Sequence, residues 1–287
     1  MTWEETIIEI RKKSEYDNLV INSYLLEDLV TNVNNYKNSD EFKSIIEIIK
    51  KNVETDIINL LDIGSGNGIT AICFALVGYN VTCVEPDKSE TVGCGAIEFL
   101  KNHFHLSNLT IYNGFCEDIN FASNTFDVSF ARQCMHHAYD LNKFVQEMAR
   151  VLNNGGLFLT VRDHVIFSEQ DKAIFLDSHP LQKFYFGENA FLSEEYKNAI
   201  KNAGLILKQE LKYYDSVINY FPNTEDKIKN LHTNKLEQIK NSIKSKFRFG
   251  HLIIFYLYLI KNKINVKDTY AESKIPGRMY SYIANKK

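Results

Sequence analysis

Between residues 57 and 162 short apolar runs alternate with helical stretches, and this alternation limits the fold more than any other feature of the chain. Runs of strand character lie at residues 57–63 (IINLLDI), 80–85 (NVTCVE), 109–112, 126–131 (FDVSFA) and 157–162 (LFLTVR). Helical spacing of apolar residues fills the intervals, at 69–77, through Ile97, Leu100 and Phe104, and at 141–152. Strands that take turns with helices form βαβ units, which bury a parallel sheet under helices on both faces. Right-handed crossovers then leave a doubly wound sheet as the economical topology. Two later runs, 205–214 and 278–284, supply a sixth and a seventh strand. The expected class is α/β, with a doubly wound, mostly parallel seven-stranded sheet.

The flanks read differently. Residues 1–50 are helical, with an Asn- and Ser-rich connection at 34–40, and are expected to form a lid ahead of a core at 51–163. Residues 164–223 begin irregular and turn aromatic by 190. They then carry a helix at 193–203 and the sixth strand, and are expected to shape an acceptor pocket. Residues 224–275 read as a helical insertion, polar first and apolar later, before a last strand within 276–287.

Composition narrows the function classes. The 287 residues are 45% hydrophobic and 24% charged, which excludes fibrous and disordered chains. Lys plus Arg number 33 against 36 Asp plus Glu, a net charge of −3, so no basic excess announces a nucleic-acid partner. The N-terminus lacks the basic-then-apolar order of a secretory signal. The longest apolar run, residues 252–260, is about half of the ~20 residues a membrane span needs. Flanked by Arg248 and Lys261, that run could rest on a membrane surface; burial in its own domain or a homodimer interface is the preferred reading. Five scattered cysteines without a C-x-x-C pair suit reduced thiols, and a cytoplasmic location is expected.

The most informative local signal is LLDIGSGNG, residues 60–68, between a strand and a helix. Gly64, Gly66 and Gly68 let backbone approach a ligand where a Cβ would collide. Asp62 precedes the loop, and Glu85 ends the second strand, seventeen residues past Gly68, where an acid can grip a ribose diol. A dinucleotide site wants G-x-G-x-x-G. Here the third glycine comes one position early, and the preceding acid would repel a pyrophosphate but attract an amino group. A nucleoside with an amino-acid tail, S-adenosylmethionine (SAM), fits better.

With these residues the sequence resembles the class I SAM-dependent methyltransferases. LDIGSGNG is similar to the family's first motif, VEPD to the acidic end of its second strand, and NGFCEDINF to its adenine-binding segment. FDVSFARQCMHH resembles the fourth strand with its loop, and ARVLNNGGLFLTV the helix, turn and strand that close the core. The resemblance implies a Rossmann-like fold. It also implies a SAM site built from Asp62, Gly64, Ser65, Gly66, Asn67, Gly68, Glu85, Pro86, Cys116, Glu117 and Arg132. Phe115 stands where the family often has Asp, so adenine would rely on the Cys116 backbone and the Glu117 side chain.

Methyl transfer to a hydroxyl or a neutral amine also needs a base, for which histidine is suited near pH 7. His136 and His137 follow the fourth strand and His164 the fifth, at the sheet edge where open α/β folds bind ligands. His137 leads as candidate base, then His164, then His136. Arg162, His179 and Tyr185 are candidates for the acceptor, Tyr185 within an aromatic run (Phe184 to Phe186) beside Lys183. A His137/Asp163/His164 metal set has no ligand spacing to single it out, and no metal is expected.

The loop after the fourth strand reads ARQC rather than the Asn/Asp-Pro-Pro-aromatic motif of DNA amino-methylating enzymes, which further disfavours nucleic acid. Arg162-Asp163-His164, residues 177–181, 187–190 and 276–281 resemble, more loosely, methyltransferases encoded among bacterial capsule and O-antigen genes. That resemblance implies O-methylation of a carbohydrate or small phosphorylated precursor of a surface polysaccharide. N-methylation of a small amine, a SAM-binding partner subunit without turnover, and a nicotinamide dehydrogenase are the rivals.

Overall fold

The computed structural model describes residues 1–247, 249–261, 272, 275 and 277–287. The strands are β1 (Asn59–Ile63), β2 (Asn80–Glu85), β3 (Leu109–Asn113), β4 (Phe126–Arg132), β5 (Leu152–Ile166), β6 (Phe191–Leu192), β7 (Leu205–Leu211) and β8 (Met279–Lys286). Seven of them make a sheet of order β3-β2-β1-β4-β5-β8-β7, and the two-residue β6 pairs with the far end of β5. β8 runs antiparallel to both neighbours, and the β1, β2, β3, β4 and β5 pairings are parallel. The expected doubly wound, mostly parallel sheet is therefore the one found.

Period-two alternation explains why the sheet is buried on both faces. Along β5, Leu157, Leu159 and Val161 enter one apolar layer, with Leu60, Val128 and Phe130. Phe158 points into the other, with Leu61, Ile63 and Ala131. The first layer is completed by α3 (Leu29–Asn38), α4 (Asp40–Asn52), α5 (Ile69–Leu76) and α6 (Cys94–His103). The second is completed by α7 (Leu141–Val151) and α10 (Ser193–Asn202). Asp140 starts α7 by accepting from the Lys143 N–H at 3.1 Å, and Leu141, Phe144, Val145 and Met148 form its buried stripe.

The N-terminal segment divides into two parts. α1 (Trp3–Arg11) and α2 (Asp17–Asn22) form a small separate cluster with Val92 and Leu181, whereas α3 and α4 belong to the main core. The chain breaks between α2 and α3 at Tyr24, whose φ of 57° is left-handed. α3 also runs through the expected connection at 34–40. Its Asn-rich sequence has poor helix propensity, but burying Val33 and Tyr36 overrides it.

The segment after β5 holds α8 (Glu169–Ser178) and the four-residue α9 (Gln182–Tyr185) where irregular chain was expected. Ser168 caps α8, but Phe175 is its sole fully buried residue, so no apolar stripe reveals it in the sequence. Past α11 (Val217–Tyr220) the expected insertion contains α12 (Glu225–Lys246) and α13 (His251–Lys261). Its remainder at 262–271 and 273–274, together with Pro276, lies outside the described residues.

Candidate active site

The glycine loop sits at the C-terminal edge of β1, fastened to β2. The Gly64 and Ser65 N–H groups donate to the Val84 carbonyl at 2.9 and 3.3 Å. Glu85 at the end of β2 accepts from the Gly66 N–H through Oε2 at 2.6 Å and from the Asp87 N–H through Oε1 at 2.9 Å. Gly64 presses on β4's exit loop, where an added Cβ would come 2.1 Å from Cys134 Sγ. An added Cβ at Gly66 would meet no atom within 4 Å, so backbone there is bare to the space above it.

That space is a cleft of about 1060 Å3. Ser65, Asn67, Pro86, Cys116 and Glu117 line it with Gly64, Gly66 and Glu85, and so do all the acceptor and base candidates. Asp62 and Gly68 lie outside its wall. Asp62 is buried beneath the loop, where Oδ2 accepts from the Thr70 hydroxyl at 2.6 Å. Burial raises its carboxyl to about 7 in spite of the bonds from Thr70 and Ser65. Glu85 rises to about 7 for the same reason, opposed by the two backbone N–H groups. Glu117 spends one oxygen on the Tyr139 N–H at 2.9 Å and approaches Cys116 Sγ with the other at 3.3 Å. Beside it the Phe115 ring lies open along the cleft.

Two arginines of the site are committed elsewhere. Arg132 forms an ion pair with Glu41, a residue no sequence signal singled out. Arg162 donates through Nη1 to the carbonyls of Ile218 and Phe221 at 2.7 and 3.0 Å. Asn67 donates to the Tyr24 carbonyl at 2.8 Å, joining the glycine loop to the helical N-terminus.

A register shift between Thr160 and Asp163, with Arg162 at φ 63°, re-aims the end of β5 and brings its last residues under the fourth-strand loop. There Asp163 Oδ1 accepts from the His136 backbone N–H and meets the ring Nδ1, both at 3.1 Å. The rings of His136 and His137 are 4.1 Å apart, those of His136 and His164 4.7 Å, and those of His164 and His179 5.8 Å. His137 Nδ1 meets the Gly187 carbonyl at 2.8 Å, and His164 Nδ1 the Gly277 carbonyl at 3.1 Å. A carbonyl only accepts, so both rings carry their proton on Nδ1 and keep a lone pair on Nε2. Burial holds His136 well below the usual imidazole range and His164 at about 3; desolvation lowers His137 as well, opposed by its bond to the Gly187 carbonyl. All three are neutral at pH 7.

Tyr185 packs edge-on to Trp3 at 5.4 Å, and Phe184 turns away against Tyr16 at 6.1 Å, so Tyr185 and Phe186 are the members of the aromatic run that line the cleft. Glu188 enters from the loop after α9, its carboxylate 3.7 Å from His179 Nδ1. The sequence pattern quoted at 187–190 contains it but gave it no role.

Residues 61–160 match the model of a methyltransferase domain. The span runs from Leu61 in β1 to Thr160 in β5 and so holds the glycine loop, Glu85 and the histidine pair. The methyltransferase expectation is borne out at the level of the domain. An uncharacterized methyltransferase of Bacillus subtilis, YcgJ, is 35% identical over 105 residues, 37% of this chain and 40% of that protein. The uncharacterized protein YafE of Escherichia coli is 29% identical over 102 residues, 36% of this chain and 49% of its own. The chain thus spans half or less of the curated relatives it matches. In structure it is similar to YcgJ (TM-score 0.54, 19% identity, 86% of this chain and 99% of that one). It is also similar to geranyl diphosphate C-methyltransferase from Streptomyces coelicolor in complex with Mg2+, geranyl diphosphate and S-adenosyl-L-homocysteine (TM-score 0.55, 14% identity, 85% and 79%). At these identities the structural likeness is one of fold, the Rossmann-like methyltransferase fold.

Proposed function

We propose that the protein is a SAM-dependent methyltransferase that methylates a hydroxyl of a sugar or small polar, phosphorylated precursor, as bacterial surface polysaccharide synthesis requires. The observation that carries the first half is the pairing of the bare Gly66 backbone with Glu85 at one wall of the cleft. Each carboxylate oxygen of Glu85 uses one lone pair on a backbone N–H and keeps another for a ribose hydroxyl. Gly64, Ser65, Gly66 and Asn67 would face the amino-acid tail, and Phe115, Cys116 and Glu117 the adenine. Bound SAM supplies an electrophilic methyl group on a sulfonium.

The chain's own contribution is to place the acceptor, receive its proton and exclude water. His137 suits the proton, because Gly187 fixes its tautomer with Nε2 bare, and the ring is the most solvent-open of the three. α1 and α2 act as the lid, lining the cleft through Trp3, Leu19 and Asn22. The cleft is also lined by the polar His179, Glu188 and Asn189, which supports a hydroxyl-bearing acceptor; Tyr185 and Phe186 supply an apolar face for a sugar ring.

The test is mass spectrometry of the protein incubated with SAM and a panel of nucleotide sugars, phosphorylated sugars and small amines. Gain of one methyl on a hydroxylated member, lost in His137→Ala while S-adenosylhomocysteine still binds, is the expected result. Transfer to amines alone would replace the acceptor class, and failure to bind S-adenosylhomocysteine at all would overturn the reading.

A further inference from the structure

One ring nitrogen of His136, one of His164 and a carboxylate oxygen of Glu188 all lie within 4.8 Å of one another on the floor of the cleft. Each imidazole is already oriented from behind. His136 Nδ1 meets Asp163 Oδ1, which also accepts the His136 backbone N–H, and with Oδ1 as its acceptor the ring carries its proton on Nδ1. His164 Nδ1 donates to the Gly277 carbonyl. The lone pair left on each ring is therefore on Nε2, and among the described residues no donor reaches it. The Glu188 carboxylate has His179 at 3.7 Å on one side, too long for a hydrogen bond. With Nε2 as the ligand atom of each ring, electron-pair donors converge on one point, an arrangement that a cation satisfies and that water, with two protons, satisfies in part.

The geometry points to a divalent transition-metal site, with His136, His164 and Glu188 as ligands and Asp163 and the Gly277 carbonyl holding the two rings in position. An ion at the centre of such a triangle lies no more than about 2.8 Å from each ligand atom, so closure by roughly 0.7 Å reaches ordinary His and carboxylate bond lengths. Glu188 sits on the loop between α9 and β6, so that closure asks a shift of a loop and not of the sheet. Two imidazoles and one carboxylate suit the borderline ions, zinc and its first-row neighbours, better than magnesium or calcium, which favour all-oxygen sets. Carboxylate-backed and carbonyl-backed imidazoles are also the usual support of metal-binding histidines. Three protein ligands leave positions open toward the cleft, where an acceptor oxygen could bind and be acidified. That last role rests on the proposed methyltransferase reading, but the binding of the ion does not. The site uses His136 where the sequence pattern suggested His137, and it puts Asp163 behind the ligands instead of among them.

The probes are Zn2+ by titration calorimetry and Co2+ by visible absorption, on the full chain stripped with a chelator. One ion per chain, with the intense visible bands of a low-coordinate Co2+ site, is expected. Glu188→Gln, on the loop between α9 and β6, should lower Zn2+ affinity at least tenfold and change the Co2+ spectrum. Asp163→Asn should lower it about 10–100-fold while leaving the Co2+ stoichiometry at one. Absence of binding overturns the proposal. So does binding that Glu188→Gln leaves unchanged, since the ion would then sit elsewhere, for example at the exposed His103 and His105. S-adenosylhomocysteine affinity, measured on the same samples, separates loss of the metal from loss of the cofactor site.

Discussion

Glu41 and Arg132, 91 residues apart, meet in a buried two-pronged ion pair, Nε to Oε1 at 2.6 Å and Nη2 to Oε2 at 3.2 Å. Tyr24 and Tyr36 cover the guanidinium, with its carbon 5.6 and 5.2 Å from their ring centres. Burial alone would depress the Arg132 pKa, but Glu41 outweighs it and holds the cation above its usual range. The pair fastens α4 to the end of β4, so the second half of the N-terminal segment is part of the framework under the cleft.

Glu41→Ala should cost about 3–5 kcal/mol, because it leaves Arg132 buried without its partner and removes the carboxylate 3.6 Å from Arg162 as well. Against a typical total of about 5–15 kcal/mol, roughly a fifth or more of the chain's stability would be at stake. Urea unfolding checks it: a loss under about 1 kcal/mol would mean that the two arginines find other partners or water.

The bond from Asn67 to the Tyr24 carbonyl ties the glycine loop to the chain between α2 and α3. Asn67→Ala should remove about 1 kcal/mol there, with little effect on global unfolding. Amide exchange over residues 1–26 should quicken, and S-adenosylhomocysteine should bind several-fold more weakly. Unchanged exchange in α1 and α2 would show that their apolar cluster with Val92 and Leu181 holds the lid without help.

The frame was legible because its signals are local. The strand positions of the doubly wound core follow from apolar runs, and the loop at 64–68 follows from its glycines and the acid of β2. What was not legible depends on distant parts of the chain. Nothing near Glu41 says that it will face Arg132, and the Asn-rich α3 becomes helical through the partners that bury Val33 and Tyr36. The histidine pair follows β4 as the chain order requires, whereas His164 lies inside β5, which runs on to Ile166 instead of ending at 162, and the roles of all three depend on the shift in that strand. That shift puts Asp163 behind His136, and the loop at 187–190 delivers Glu188 from outside the matched domain.

Cofactor affinity should depend on pH through Glu85. Burial raises its carboxyl to about 7, so the folded protein holds a proton there below neutrality, and the ionised form that grips a diol predominates above it. S-adenosylhomocysteine should therefore bind more tightly as pH rises from about 6 to about 8. Glu85→Gln should flatten this dependence and weaken binding by about 10–100-fold, the worth of one or two hydrogen bonds to a charged group. The sign for stability is opposite: with its pKa above the unfolded value, Glu85 adds stability at low pH, lost as pH climbs from about 4 through 7. A binding profile that stays level across that range in the unmodified protein would remove Glu85 from the ribose role.

Alanine at two neighbouring glycines separates folding from binding. Gly64 and Gly66 have φ of 65° and 53°, so each substitution costs about 1–2 kcal/mol in backbone strain. At Gly64 the new Cβ would also strike Cys134 Sγ at 2.1 Å and Cβ at 2.9 Å, adding roughly 1–3 kcal/mol of overpacking. Cys134→Ala in the same chain should recover part of that second cost. At Gly66 the Cβ meets no atom within 4 Å and projects into the space where the proposed cofactor's tail would lie. Gly66→Ala should thus unfold only slightly earlier than the parent in urea yet bind S-adenosylhomocysteine more than tenfold less well, a loss above about 1.4 kcal/mol. Equal effects of the two substitutions on stability, or full binding in Gly66→Ala, would place the ligand away from this loop.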